Sequence, residues 1–194
     1  IYTNTGVTGF AGNGRVEEVI CGDKRFAADI VIVGIGIIPN TELAEAAGIH
    51  CDNGIVVDEH CRTSDPHIYA AGDCTNHPNP LLDRRLRLES VPNAMDQARV
   101  STANMLGDNK TYAAIPWFWS DQFDVKLQIA GLNSGYDKVV SRVADGATSF
   151  WYYRGEELLA VDAANAPLLQ EAARANADAS PSSTSSPTAE SDLE

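Results

Sequence analysis

"RFAADIVIVGIGIIPN", residues 25–40, decides how the rest of the chain is read. From Ile30 to Ile35, valine and isoleucine follow one another with no polar break, interrupted only by glycine. A strand with one solvated face alternates apolar and polar residues, whereas a strand covered on both faces is apolar throughout. The stretch therefore predicts an inner strand of a parallel sheet in an α/β protein. Before it, "GRVEEVI" (14–20), a turn at "CGDK" (21–24) and a return through "RFAAD" (25–29) read as a hairpin. After it, "NTELAEAAG" (40–48) reads as a short helix, capped by Asn40 or Thr41, with Glu42 in the first turn and Gly48 as its stop.

Further out, "GIVVDEHCRTSDPHIYAAGDC" (54–74) gives two more strand-like runs separated by a polar turn at Pro66. "SVPNAMDQARVSTANMLG" (90–107) predicts a helix with Pro92 in its first turn and Gly107 past its end. Met95, Ala98, Thr102 and Met105 recur at helical spacing and are expected to form its core face. Beyond Pro116 the texture changes to short alternating runs, "WFWSDQFDVKLQIAGL", "DKVVSRV", "TSFWYY" and "ELLAVDA". These predict an antiparallel sheet in a separate module. "NAPLLQEAARANA" (165–177) fits a closing helix, and "DASPSSTSSPTAESDLE" (178–194) has the composition of a disordered tail.

The bulk properties narrow the function classes. With 194 residues, 44% of them hydrophobic and 21% charged, the chain has the material for one large domain or two small ones. No uninterrupted apolar run reaches the roughly 20 residues a membrane helix needs, so no membrane role is expected. A formal charge of −13 repels phosphate and argues against nucleic acid as a partner. Cys21, Cys51, Cys61 and Cys74 make no metal-ligand or CxxC spacing. Scattered reduced thiols fit the cytoplasm. The sequence opens in mid-pattern at Ile1, so the natural chain is expected to begin upstream.

Two places carry candidate chemistry. "VGIGIIP" starts like a dinucleotide-binding GxGxxG, but Pro39 stands where the third glycine belongs, so the full motif is absent. Gly34 and Gly36 instead let a ligand or a second backbone approach the strand end. The second place is Asp73. Open α/β sheets bind ligands beyond the carboxyl ends of their strands, and "HIYAAGD" is expected to deliver a carboxylate there, able to accept hydrogen bonds from sugar hydroxyls. The helix starting near Val91 offers free N–H groups and a positive dipole end, with small Ala94 leaving room for close contact.

At these residues the chain resembles a known family. "TSDPHIYAAGDC", "RRLRLESVPNAMDQAR" and above all "PWFWSDQFDVKLQIAGL" are similar to the FAD-containing, NAD(P)H-dependent ferredoxin reductases that serve Rieske oxygenases and cytochromes P450, among them the putidaredoxin and rubredoxin reductases. The resemblance covers about residues 1 to 165. It implies the C-terminal part of a glutathione-reductase-like fold with two dinucleotide-binding domains, followed by an antiparallel α+β domain. On that likeness residues 1–46 end the NAD(P)-binding domain, 47–113 are the second segment of the FAD domain, 114–165 are the C-terminal domain, and 166–194 are the short helix and tail. The glycine-rich turns for the FAD pyrophosphate and for NAD(P)H are missing, so the chain reads as the back half of a larger enzyme.

The resemblance also implies residue roles. Asp73, beside Gly72, accepts from the ribityl chain of FAD, and the helix tip at Val91 and Pro92 faces the pyrimidine edge of the flavin. Trp119 lies beside the isoalloxazine ring. Gly34, Ile35 and Gly36 face the nicotinamide, with Glu89 near that pocket. Arg84, Arg85 and Arg87 form the one dense basic cluster, expected either to pair locally with Asp83 and Glu89 or to dock an acidic ferredoxin or rubredoxin-type acceptor. The implied activity passes electrons from NAD(P)H through FAD to such a partner. An NADH oxidase or peroxidase of the same fold is the rival enzyme, and an inert binding fragment the rival outside enzymes. A glutathione-reductase-type member would carry a histidine in its C-terminal domain, yet the last histidine here is His77.

Overall fold

The computed structural model describes residues 1–144 and 146–166 and divides after Ile38 into two units. In the first unit the expected hairpin forms: β2 (Glu18–Cys21) and β3 (Lys24–Ala27) pair antiparallel across a two-residue turn at Gly22 and Asp23. Arg25 pairs with Glu18 at 2.8 Å across it. A strand the sequence did not announce, β1 (Gly9–Ala11), adds to the outer edge of β2, giving the order β1-β2-β3.

The expected inner strand is not there. Residues 30–36 form no strand, and Ile32 and Ile35 are 93% and 90% exposed. A parallel strand exists only through its ladder partners and the layers on its two faces. Among the described residues of this unit, none pairs with it. The apolar run is a strand sequence without a sheet.

In the second unit, α1 (Glu42–Ala46) follows Thr41, as expected, and buries Ala44. The Thr41 hydroxyl does not cap the helix backbone; it donates to Glu45 Oε1 at 2.7 Å. Strands β4 (Ile55–Val56), β5 (Thr75–Asn79) and β6 (Arg84–Leu86) form a small sheet in that order, parallel between β4 and β5 and antiparallel between β5 and β6. The strand expected over "HIYAAGD" is reduced to a single bridge, Arg62 to Tyr69. A turn closed by Thr75 N–H donating to the Gly72 carbonyl at 3.0 Å takes its place, and β5 begins only at Thr75. Asp73 thus stands before the amino end of β5, not at the carboxyl end of a strand.

The long helix is present as α2 (Val91–Met105), with Ser90 as N-cap accepting from the Asn93 N–H at 3.3 Å. Its faces are the reverse of the expectation. Met95, Ala98, Thr102 and Met105 are exposed, while Asn93, Gln97, Ser101 and Asn104 are buried. The buried side packs on irregular segments whose backbone groups need partners, so amide side chains serve there better than methyls.

The antiparallel sheet forms as predicted, within the second unit: β7 (Trp117–Gln122), β8 (Val125–Gly131), β9 (Lys138–Ala144), β10 (Ala147–Arg154) and β11 (Glu157–Ala164). Their order is β7-β8-β11-β10-β9. Period-two alternation puts Ala130, Val161 and Ala163 on one face, where they pack with Trp117, Trp151 and Leu158. The expected closing helix and tail fall, from residue 167 on, outside the described residues. No described helix is long and apolar enough to cross a membrane.

Candidate functional site

The candidate site is built where the turn before β5 meets the first turn of α2. Gly72 has φ 89°, a value that disfavours any side chain, and a Cβ placed there would sit 3.5 Å from that of Ala94. Two small residues thus let turn and helix touch. On the helix side, the Gly72 N–H donates to Gln97 Oε1 at 2.7 Å. On the other side, Arg87 Nη1 donates to the Asp73 carbonyl at 3.2 Å. With the backbone held at both points, the Asp73 side chain is exposed and its carboxylate has no partner among the described residues.

The helix tip beside it is nearly saturated. Pro92 has no N–H, and the Asn93 and Ala94 N–H groups donate to the side chain and carbonyl of Ser90. Val91 is left as the first-turn amide without a partner among the described residues, on an exposed residue. An unpaired carboxylate next to a free donor at a positive helix end suits a ligand carrying both hydroxyls and an edge that takes negative charge. Beneath the tip, Asn93 Nδ2 donates to the Leu88 carbonyl at 3.1 Å, and Tyr112 Oη donates to Asn93 Oδ1 at 2.9 Å. Burial, with Asp96 and Cys61 adding to it, pushes the Tyr112 phenol up to about 12, so it stays a donor at any physiological pH.

The three arginines part company. Arg85 turns its guanidinium onto Asn76 and the Val57 carbonyl. Arg87 pairs with Glu89 at 3.0 Å, bonds Asn53, and is 13% exposed at its side chain. Both guanidiniums thus have partners within the chain, although Arg85 remains an exposed residue. Arg84 and Arg85 are both exposed residues, and of the three only the Arg84 side chain is without a partner among the described residues. Glu89, an expected pocket residue, is exposed and is the acid that Arg87 holds.

Trp117 and Trp119 stand on one face of β7 with ring centroids 5.0 Å apart; Trp119 is 38% exposed and Trp117 half-buried. Gly34, Ile35 and Gly36 belong to the first unit, where the space around the two glycines is open.

The family model for pyridine nucleotide-disulphide oxidoreductases matches residues 1–98, and the model "Reductase C-terminal" matches residues 117–192. The chain belongs to the pyridine nucleotide-disulphide oxidoreductase family. Among its relatives, putidaredoxin reductase CamA of Pseudomonas putida is 48% identical over 174 residues, covering 87% of this chain and 41% of that protein. Rhodocoxin reductase of Rhodococcus erythropolis is 49% identical over 149 residues, 76% of this chain and 35% of that one. The solved covalent putidaredoxin reductase–putidaredoxin complex superposes with a TM-score of 0.84 at 45% identity, over 90% of this chain and 43% of that one. The chain therefore spans about two-fifths of the length of the relatives it matches.

Members of this oxidoreductase family are expected to carry FAD, and the residues present fit part of such a group: an unpaired carboxylate, a free helix-tip amide and a half-exposed indole. The sequence reading did not find Asn93 and Gln97, which assemble this corner. Their signal was available in "NAMDQARVSTAN", where Asn, Gln, Ser and Asn recur every three or four residues inside a helix whose interior disfavours two of those types.

Proposed function

We propose that the whole protein containing this chain is a flavoprotein oxidoreductase that takes electrons from NAD(P)H and delivers them to a ferredoxin-type or rubredoxin-type iron–sulfur protein. FAD would supply the redox chemistry, accepting a hydride from NAD(P)H and passing electrons on singly. The chain's own residues bind and orient. Asp73 accepts hydrogen bonds from ribityl hydroxyls. The Val91 N–H and the dipole of α2 face the pyrimidine edge and favour negative charge there. Trp119 covers one side of the ring system, and within the first unit Gly34, Ile35 and Gly36 are the residues assigned to the nicotinamide.

One observation carries this reading: the contact of Gly72 with Ala94, which brings a free carboxylate and a free helix-tip donor to one corner. On the same reading residues 1–46, 47–113 and 114–165 are the end of the NAD(P) domain, the returning FAD segment and the C-terminal domain. The apolar run at 30–36 is then a strand whose neighbours lie in other parts of the whole protein. All four cysteines are free thiols, which suits work in the cytoplasm.

The test is a visible spectrum of the complete natural protein together with NAD(P)H-driven reduction of a ferredoxin. A stoichiometric flavin band and ferredoxin turnover are expected. A colourless protein, or a flavoprotein that reduces only dioxygen or peroxide, contradicts it.

A further inference from the structure

The buried face of α2 carries an element that no part of the cofactor chemistry requires but that joins its two contacts. Gln97 is fully buried, and its Oε1 receives the Gly72 N–H at 2.7 Å. Thr75 Oγ1, also fully buried, lies 2.8 Å from both Gln97 Oε1 and the Gly72 carbonyl, so its single proton is shared between them. One side-chain oxygen on the helix therefore fixes both ends of the Gly72–Thr75 turn, and Asp73 lies inside that turn.

The same helix presents Val91 at its tip, six residues earlier, or roughly 9 Å along the axis. Whatever holds Gln97 against the turn sets the spacing between the Asp73 carboxylate and the Val91 N–H. We propose that Gln97 is a positioning residue for the flavin: it sets the distance between the groups that take the ribityl chain and the ring edge. This rests on the flavin reading above.

Asn104 provides the comparison. It lies on the same face, is also buried, and bonds the His60 and Lys110 carbonyls and the Lys110 N–H, all away from the turn. A purely structural role for Gln97 would make the two residues behave alike.

The experiment measures FAD affinity by fluorescence titration, and the visible circular dichroism of bound flavin, in the complete natural protein. Gln97→Met, which keeps length but loses the acceptor, is expected to weaken FAD binding about tenfold, the scale of one hydrogen bond. It should also alter the dichroism. Gln97→Glu, which keeps an acceptor oxygen in either protonation state, should return the affinity to within about threefold of wild type on the same scale. Asn104→Ala should lower the unfolding midpoint and leave FAD affinity alone. Unchanged affinity in Gln97→Met, alongside a loss in Asp73→Ala, overturns the positioning role while leaving the flavin site standing. Equal losses in Gln97→Met and Asn104→Ala overturn it too. A wild-type protein with no FAD affinity overturns both readings.

Discussion

At the scale of single residues, two side chains lack partners among the described residues for opposite reasons. Asp73 is unpaired in the open, and an exposed carboxylate costs little while it waits for a ligand. Asp73→Ala in the complete protein should weaken FAD binding by about 1.5 to 3 kcal/mol, the range for a hydrogen bond to a charged group, read from a flavin titration. His77 is unpaired in the core. It is 1% exposed, neither ring nitrogen has a partner among the described residues, and it packs edge-on to Tyr112 with centroids 5.1 Å apart. Burial first, then the nearby Arg85, lowers it to about 4 from 6.5. The unfolded chain then binds the proton more readily than the folded one. The stability due to neutral His77 is complete above about pH 6.5 and is lost as pH falls toward 4, by about 3 kcal/mol in all. His77→Phe, which keeps the ring contact, should flatten the urea-unfolding midpoint across that window; an unchanged pH dependence would rule the histidine out as its source.

At the scale of elements, the helix and the sheet show where sequence patterns speak clearly and where they mislead. The ends of α2 were legible because a Ser N-cap, an early proline and a following glycine each have a local mechanism. Its buried face was not, because spacing of apolar residues assumes an apolar neighbour, and α2 instead leans on loops with unmet backbone groups. Met105→Lys should accordingly change stability by less than about 0.5 kcal/mol, while Asn104→Ala, which removes the bonds to the His60 carbonyl and to the Lys110 N–H and carbonyl, should cost about 1 to 3 kcal/mol in chemical denaturation. The five-stranded sheet was legible from alternation alone, since each strand buries one face. Its tightest point is Gly131, with φ 79°, where an added Cβ would come within 2.1 Å of the Leu159 carbonyl oxygen. Gly131→Ala should lose about 2 kcal/mol or more in the same assay.

At the scale of the whole molecule, the same physics explains what the sequence overstated. The run at 30–36 carries the composition of an inner strand, but composition cannot supply the neighbouring strands, so the segment lies bare in the first unit. Likewise "HIYAAGD" has the composition of a strand, but it makes only the Arg62–Tyr69 bridge, and Asp73 lies in the Gly72–Thr75 turn that precedes β5. Of the three arginines near the end of β6, Arg85 and Arg87 have partners within the chain, while the Arg84 side chain has none among the described residues. Arg84→Glu should therefore slow ferredoxin reduction severalfold at low salt, with dye reduction by NAD(P)H unchanged, a difference that added salt removes. The central claim is that the Asp73 carboxylate and the tip of α2 hold one flavin between them. A crystal structure of the complete protein with FAD tests it most directly. It should place Asp73 within about 3 Å of a ribityl hydroxyl and the Val91 N–H at the pyrimidine edge. A flavin bound elsewhere, touching neither group, would contradict it.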